Sequence, residues 1–170
     1  TPQNENTPFH PRTPYGIAKV YACLAARYYR ENYGMFVSNG IMYNHESPRR
    51  GPEYVTRKIS IGVASIALGL QEYIELGNMD ARRDWGFAPE YMDAAWRMLQ
   101  QKQPDDFLIA TGEVHTVREF LEEACKVAGV SDPDKIVKVN PNYMRPADFT
   151  NLRGDASKAR KVLRWTPKVR

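Results

Sequence analysis

An α/β fold with a largely parallel sheet is what this sequence predicts, and three observations predict it. Short strand-like runs alternate with helical patterns along most of the chain. The helical segments carry their own start and stop residues. With 170 residues, 42% of them hydrophobic, the chain is long enough for one domain with a proper core. There is no internal repeat, low-complexity tract or linker that would divide it, so residues 1–170 are expected to form a single unit.

The elements follow in order. Residues 1–13, rich in Thr, Pro and Asn, read as a loop ending in Thr13, an N-cap, and Pro14, at the first helical position. The helix then runs to about Asn32, with Tyr15, Ala18, Lys19, Ala22, Ala25 or Ala26, and Tyr29 on one face, where small alanines would admit a second helix. Met35 to Tyr43 reads as a strand and Asn44 to Pro52 as a polar loop. Val55, Ile59, Val63, Ile66 and Leu70 recur at helical spacing. Tyr73 to Leu76 is a short strand closed by Gly77-Asn78. A helix from about Pro89 is expected to bury Met92, Ala95, Trp96 and Leu99. Phe107 to Ala110 is a further strand. Thr116-Val117-Arg118-Glu119 spells a capping box ahead of Val117, Phe120, Leu121, Ala124 and Ala128, and Gly129 stops that helix. Ile136 to Val139 is a late strand, and Asp155 can cap a last helix through Leu163.

A net charge of +4 fits an anionic ligand such as a nucleotide diphosphate, and equally fits one part of a larger chain with compensating acids elsewhere. The basic residues are scattered rather than gathered, which argues against nucleic acid. The longest apolar stretch, Ile61 to Leu70, is too short to span a bilayer. Cys23 and Cys125 read as buried small residues of a reducing, cytoplasmic compartment. His10, His45 and His115 have no metal-ligand spacing, so no metal is expected.

Tyr15-Gly16-Ile17-Ala18-Lys19 puts a phenol and an ammonium on one helical face. An ammonium beside a phenol favours its charged form, and such a phenol can take a proton from an alcohol as hydride leaves the same carbon. Asn44 to Gly51 gathers an amide, an imidazole, a carboxylate and two guanidiniums directly after a strand, where ligands of α/β sheets sit. Arginine suits phosphate through its planar fork. Lys58 lies in the first turns of a helix. Arg82-Arg83-Asp84-Trp85-Gly86 is either part of a site or an Arg–Asp ion pair over a packed Trp85. No Gly-x-Gly-x-x-Gly phosphate loop occurs in the sequence.

Taken in order, these segments resemble the GDP-mannose 4,6-dehydratase family of extended short-chain dehydrogenase/reductases. Pro14 to Lys19, Asn39-Gly40-Ile41, Asn44 to Gly51, Val55 to Ile59, Leu76 to Asp80, Arg83 to Gly86 and Arg145-Pro146-Ala147 carry the match. The resemblance implies the second part of a Rossmann-like fold, with the last parallel strands and helices interleaved with a small substrate-binding domain. It implies Tyr15 and Lys19 as the catalytic pair, NADP as cofactor held by Tyr15, Lys19, His45 and Arg50, and GDP-mannose held by Asn44, Lys58, Arg83, Arg145 and Asp148. Asp148 stands where the family usually has glutamate. The family's arginine loop reaches a neighbouring subunit's cofactor, which implies a homodimer or homotetramer. A glycine-rich unit and a Thr-x-Glu segment, expected upstream of residue 1, complete the family's site, so this chain alone is expected not to turn over GDP-mannose. Two other readings stay open: an epimerase or dehydratase of a UDP or dTDP sugar, which would share Tyr15 and Lys19 but not Asn44 to Gly51, and a non-catalytic nucleotide-sugar-binding module.

Overall fold

A computed structural model describes residues 2–144 and 152–169. The chain forms two compact units, each discontinuous in sequence: Thr1–His45, Asp84–Glu113 and Arg153–Arg170 make the first, Glu46–Arg83 and Val114–Leu152 the second.

The first unit opens with helix α1, Pro14–Tyr33. Thr13 caps it as expected, its hydroxyl accepting from the Gly16 N–H at 3.0 Å. Strand β1, Asn39–Met42, pairs in parallel with β6, Asp106–Ile109, in the register Asn39↔Asp106 to Met42↔Ile109. Strand β2, Asn44–Glu46, pairs with β5, Trp85–Phe87. Helix α3, Ala88–Leu99, covers the strands with Tyr91, Ala94 and Met98. Phe107 to Ala110 and Ala156, Ala159, Leu163 and Trp165 complete this core. Asp155 accepts from the Ser157 N–H at 3.0 Å just ahead of a short π-helical turn, Ala159–Leu163.

The second unit pairs α2, Val55–Ala67, with α4, Val117–Ala128. Ile59 and Val63 are buried from one helix, Val117, Leu121 and Cys125 from the other. The capping box forms as the sequence spells it: Thr116 accepts from the Glu119 N–H at 3.0 Å and Glu119 accepts from the Thr116 N–H at 2.9 Å. Gly129 ends the helix at φ 73°, a conformation that a side chain would oppose. Strand β3, Ile74–Leu76, runs parallel to β8, Val137–Val139, and β4, Arg82–Arg83, antiparallel to β7, His115–Thr116.

Three expectations need correction. The described strands form four two-stranded ladders, not one sheet. The polar loop starts late, because Asn44–Glu46 is a strand, and the strand expected from Met35 begins at Asn39. On α3, Met92, Trp96 and Leu99 are exposed, Trp96 by 62%, while Tyr91, Ala94 and Met98 face inward. The helix carries two apolar stripes, and periodicity alone ranks neither. On α1, Ala18 and Ala22 are exposed, and the half-buried positions include Val20, Cys23, Ala25, Ala26, Arg27 and Arg30. Asp106 sets that orientation. It pairs with Arg27, with Arg30 at 2.8 Å and with Asn39 at 2.8 Å.

Burial opposes ionisation of Asp106, but the hydrogen bonds from Arg30, Arg27 and Asn39 outweigh it and hold the carboxyl below its ordinary value. The unfolded chain therefore takes up this proton first as pH falls. The stabilisation is complete above the unfolded value of about 3.9 and is lost as pH drops through the lower folded value. Urea unfolding at pH 6 and pH 3 should show the wild type losing more stability than Asp106→Asn. Equal losses would remove Asp106 from the acid response.

Candidate functional site

Tyr15 stands in the first turn of α1 and is 71% exposed. Helical spacing brings the Lys19 ammonium back over it, with Nζ 5.3 Å from the ring centroid. A phenol with an ammonium on its face and open access is equipped to exchange a proton with a bound hydroxyl. Two other tyrosines of this unit are not. Burial, with Asp84 nearby, pushes the Tyr43 phenol up to about 12, and burial pushes Tyr91 up as well.

The sequence also holds a second Tyr-x-x-x-Lys, Tyr54 and Lys58, which spacing alone does not distinguish from the first. The structure does. Tyr54 is the N-cap residue of α2, and the Arg50 guanidinium lies 3.6 Å over its ring. The Lys58 ammonium turns instead to Tyr143, 3.8 Å from that ring centroid. Only Tyr15 and Lys19 meet as a pair.

Asn44 is exposed on β2, and the next residue, His45, is half-buried. His45 Nδ1 lies 2.8 Å from the Tyr43 carbonyl oxygen, and its ring stacks on Tyr91 with centroids 4.9 Å apart. In the second unit, Arg50 Nε lies 3.2 Å from Glu46, and the same carboxylate accepts from the Thr56 hydroxyl at 2.6 Å. Glu46 thus ties the arginine loop to the first turn of α2, a role the sequence did not disclose. Arg83 donates to the Arg82 carbonyl oxygen at 2.7 Å. Arg145 and Asp148 lie outside the described residues. The first unit holds Tyr15, Lys19, Asn44 and His45; the second holds Arg50, Lys58 and Arg83.

The sequence offers Asp84 as a candidate ion-pair partner of its neighbouring arginine. It is instead completely buried, and its two oxygens accept from the Thr111 N–H, the Thr111 hydroxyl, the Gly112 N–H and the Gly154 N–H at 2.6–3.1 Å. These four donors are neutral, and they fasten two separate stretches of the first unit, Thr111-Gly112 and Gly154, to one side chain.

Both cysteines are free, and burial pushes each thiol up, so neither is a ready nucleophile. Among the described residues no group of three or more His, Cys, Asp or Glu side chains gathers as a metal would require. No described helix is long and apolar enough to cross a membrane.

A family model described as GDP-mannose 4,6 dehydratase matches residues 1–170. A GDP-mannose 4,6 dehydratase of Drosophila melanogaster is 51% identical over 185 residues, covering 99% of this chain and 47% of that protein. A GDP-mannose 4,6-dehydratase of Vibrio cholerae is 47% identical over 195 residues, covering 99% and 52%. The chain thus spans about half the length of the curated relatives it matches. Among solved structures, RMD from Pseudomonas aeruginosa complexed with NADPH superposes with a TM-score of 0.89 at 22% identity, over 99% of this chain and 55% of that one. The dTDP-glucose 4,6-dehydratase of Bacillus anthracis in complex with NAD gives 0.85 at 22% identity, over 99% and 51%. At that identity the structures speak to the fold, which is the α/β fold of extended short-chain dehydrogenases.

Proposed function

The chain belongs to the GDP-mannose 4,6-dehydratase family, and on that premise we propose that it supplies the substrate-oxidising pair and the nucleotide-sugar contacts of an NADP-dependent enzyme. The reaction converts GDP-mannose to GDP-4-dehydro-6-deoxy-mannose and water. The observation that carries the reading is the pairing of Tyr15 with Lys19, accessible on α1 while the competing Tyr54 and Lys58 are drawn apart.

Tyr15 takes the proton from O4 of the mannose. Lys19 stabilises the phenolate and holds hydroxyls of the cofactor ribose. His45 and Arg50 add cofactor contacts. His45 suits the polar nicotinamide end, since its Nδ1 is engaged at 2.8 Å by a carbonyl and its Nε2 has no partner among the described residues. NADP held by Tyr15, Lys19, His45 and Arg50 would supply the acceptor for the C4 hydride and its return at C6. The ketone formed at C4 acidifies C5–H, which prepares loss of water from C6. Asn44, Lys58 and Arg83, with Arg145 and Asp148, hold the GDP-mannose, the cations on its diphosphate and ribose. The same reading makes the enzyme a homodimer or homotetramer.

The substrate end is testable by calorimetry with GDP. A charge-assisted contact is worth about 1.5–3 kcal/mol. Lys58→Ala or Arg83→Ala in the enzyme that carries this chain should therefore weaken GDP roughly ten- to a hundredfold. Unchanged GDP affinity in both variants would remove these residues from the site.

A further inference from the structure

Tyr91 has no assigned role, yet it is the middle ring of three. Trp165 meets it edge-on, centroids 5.8 Å apart at 88°, and is itself fixed by donating from Nε1 to the Glu90 carbonyl oxygen at 2.8 Å. The His45 imidazole lies nearly parallel to the same ring, at 26° and 4.9 Å. Tyr91 is completely buried. A Cβ at Gly86 would fall 2.3 Å from its Cε2, so the Gly86 backbone also lies close against the ring. The tyrosine cannot turn, and the histidine stacked on it has its plane set.

One hydrogen bond then sets the rotation of the imidazole within that plane. The Tyr43 carbonyl oxygen, 2.8 Å from Nδ1, can only accept, so Nδ1 carries the hydrogen. Tyr43 does not drift either: its N–H donates to the Ile109 carbonyl oxygen at 2.9 Å and its hydroxyl to Gln3 Oε1 at 2.6 Å. In a neutral imidazole whose Nδ1 is a donor, Nε2 is a bare acceptor.

We propose that Tyr91 is a positioning residue that holds His45 with Nε2 presented as an acceptor to a hydroxyl or amide donor at the nicotinamide-ribose end of a bound dinucleotide. This rests on the reading that His45 meets the cofactor. The stack fixes direction and the carbonyl fixes the tautomer, so the site pre-orders one acceptor before anything binds. Pre-ordering spares the ligand the entropy of fixing a side chain.

Long-range proton–nitrogen NMR correlations of the histidines in the enzyme that carries this chain test the geometry without any variant. His45 should show the tautomer protonated at Nδ1; the tautomer protonated at Nε2 would overturn the proposal. Tyr91→Phe keeps the ring and should keep both that tautomer and NADPH affinity, measured by fluorescence in the enzyme that carries this chain, to within about twofold; loss of the tautomer in this variant would overturn the proposal. Tyr91→Leu should mix the two tautomers and weaken NADPH about fivefold, the scale of one neutral hydrogen bond. A folded Tyr91→Leu protein with one tautomer and unchanged affinity contradicts the positioning role. His45→Phe, which keeps a ring on the stack and removes the acceptor, separates the two claims. Wild-type NADPH affinity there, with the expected tautomer in the parent, overturns the cofactor reading of His45 rather than the geometry.

Discussion

Tyr15→Phe in the enzyme that carries this chain should lower kcat by about 10²–10⁴-fold, the usual cost of removing a positioned general base. Affinity for GDP-mannose should hardly change, because the variant keeps the ring and loses only the hydroxyl. That ring is 71% exposed and closes no core, so the loss cannot be laid to unfolding. Two other tyrosines of the first unit cannot take over: Tyr43 donates its hydroxyl to Gln3, its phenol held near 12, and Tyr91 is sealed in the core. Steady-state kinetics with separate KM and kcat check the claim. A near-normal kcat would show that another group accepts the O4 proton.

The largest expected effect on stability is at Asp84. Asp84→Ala removes both oxygens and leaves three backbone N–H groups, of Thr111, Gly112 and Gly154, without their acceptor. A buried polar group left unpaired costs about 1–3 kcal/mol, so the total should reach about 3–5 kcal/mol, a large part of the 5–15 kcal/mol that holds most domains together. Asp84→Asn should not rescue it. Either placement of the amide sets an NH₂ donor against a backbone donor, since Oδ1 faces Thr111 and Oδ2 faces Gly112 and Gly154. Urea unfolding monitored by tryptophan fluorescence measures this. If either variant lies within about 1 kcal/mol of the wild type, a typical single-mutant effect, Asp84 is not a fastening point.

What was legible in the sequence was local. Tyr15 and Lys19, Thr13 at its cap, and the Thr116–Glu119 box each depend on residues within one helical turn, and each stands as spelled. The tertiary choices were not. Both stripes on α3 are apolar, and the one that turned inward packs with Phe107 to Ala110 and Trp165. The α1 face was chosen by Asp106, which draws in Arg27 and Arg30 from 79 and 76 positions away. Asp84 sits between an arginine and a tryptophan and looks like half an ion pair, but its partners lie 27, 28 and 70 residues on. His45 could be singled out as a polar residue after a strand. Its tautomer could not, because that depends on the Tyr43 carbonyl and on a ring from helix α3.

The central claim is that these residues serve a dehydration in which hydrogen moves from C4 to C6 of a GDP-linked mannose. GDP-mannose deuterated at C4, incubated with the enzyme that carries this chain and a trace of NADP⁺, tests it most directly. Mass spectrometry and NMR of the product should show loss of one water and the deuterium at C6. A product that keeps the mass of GDP-mannose with an inverted centre, or one that loses water without deuterium at C6, would contradict it.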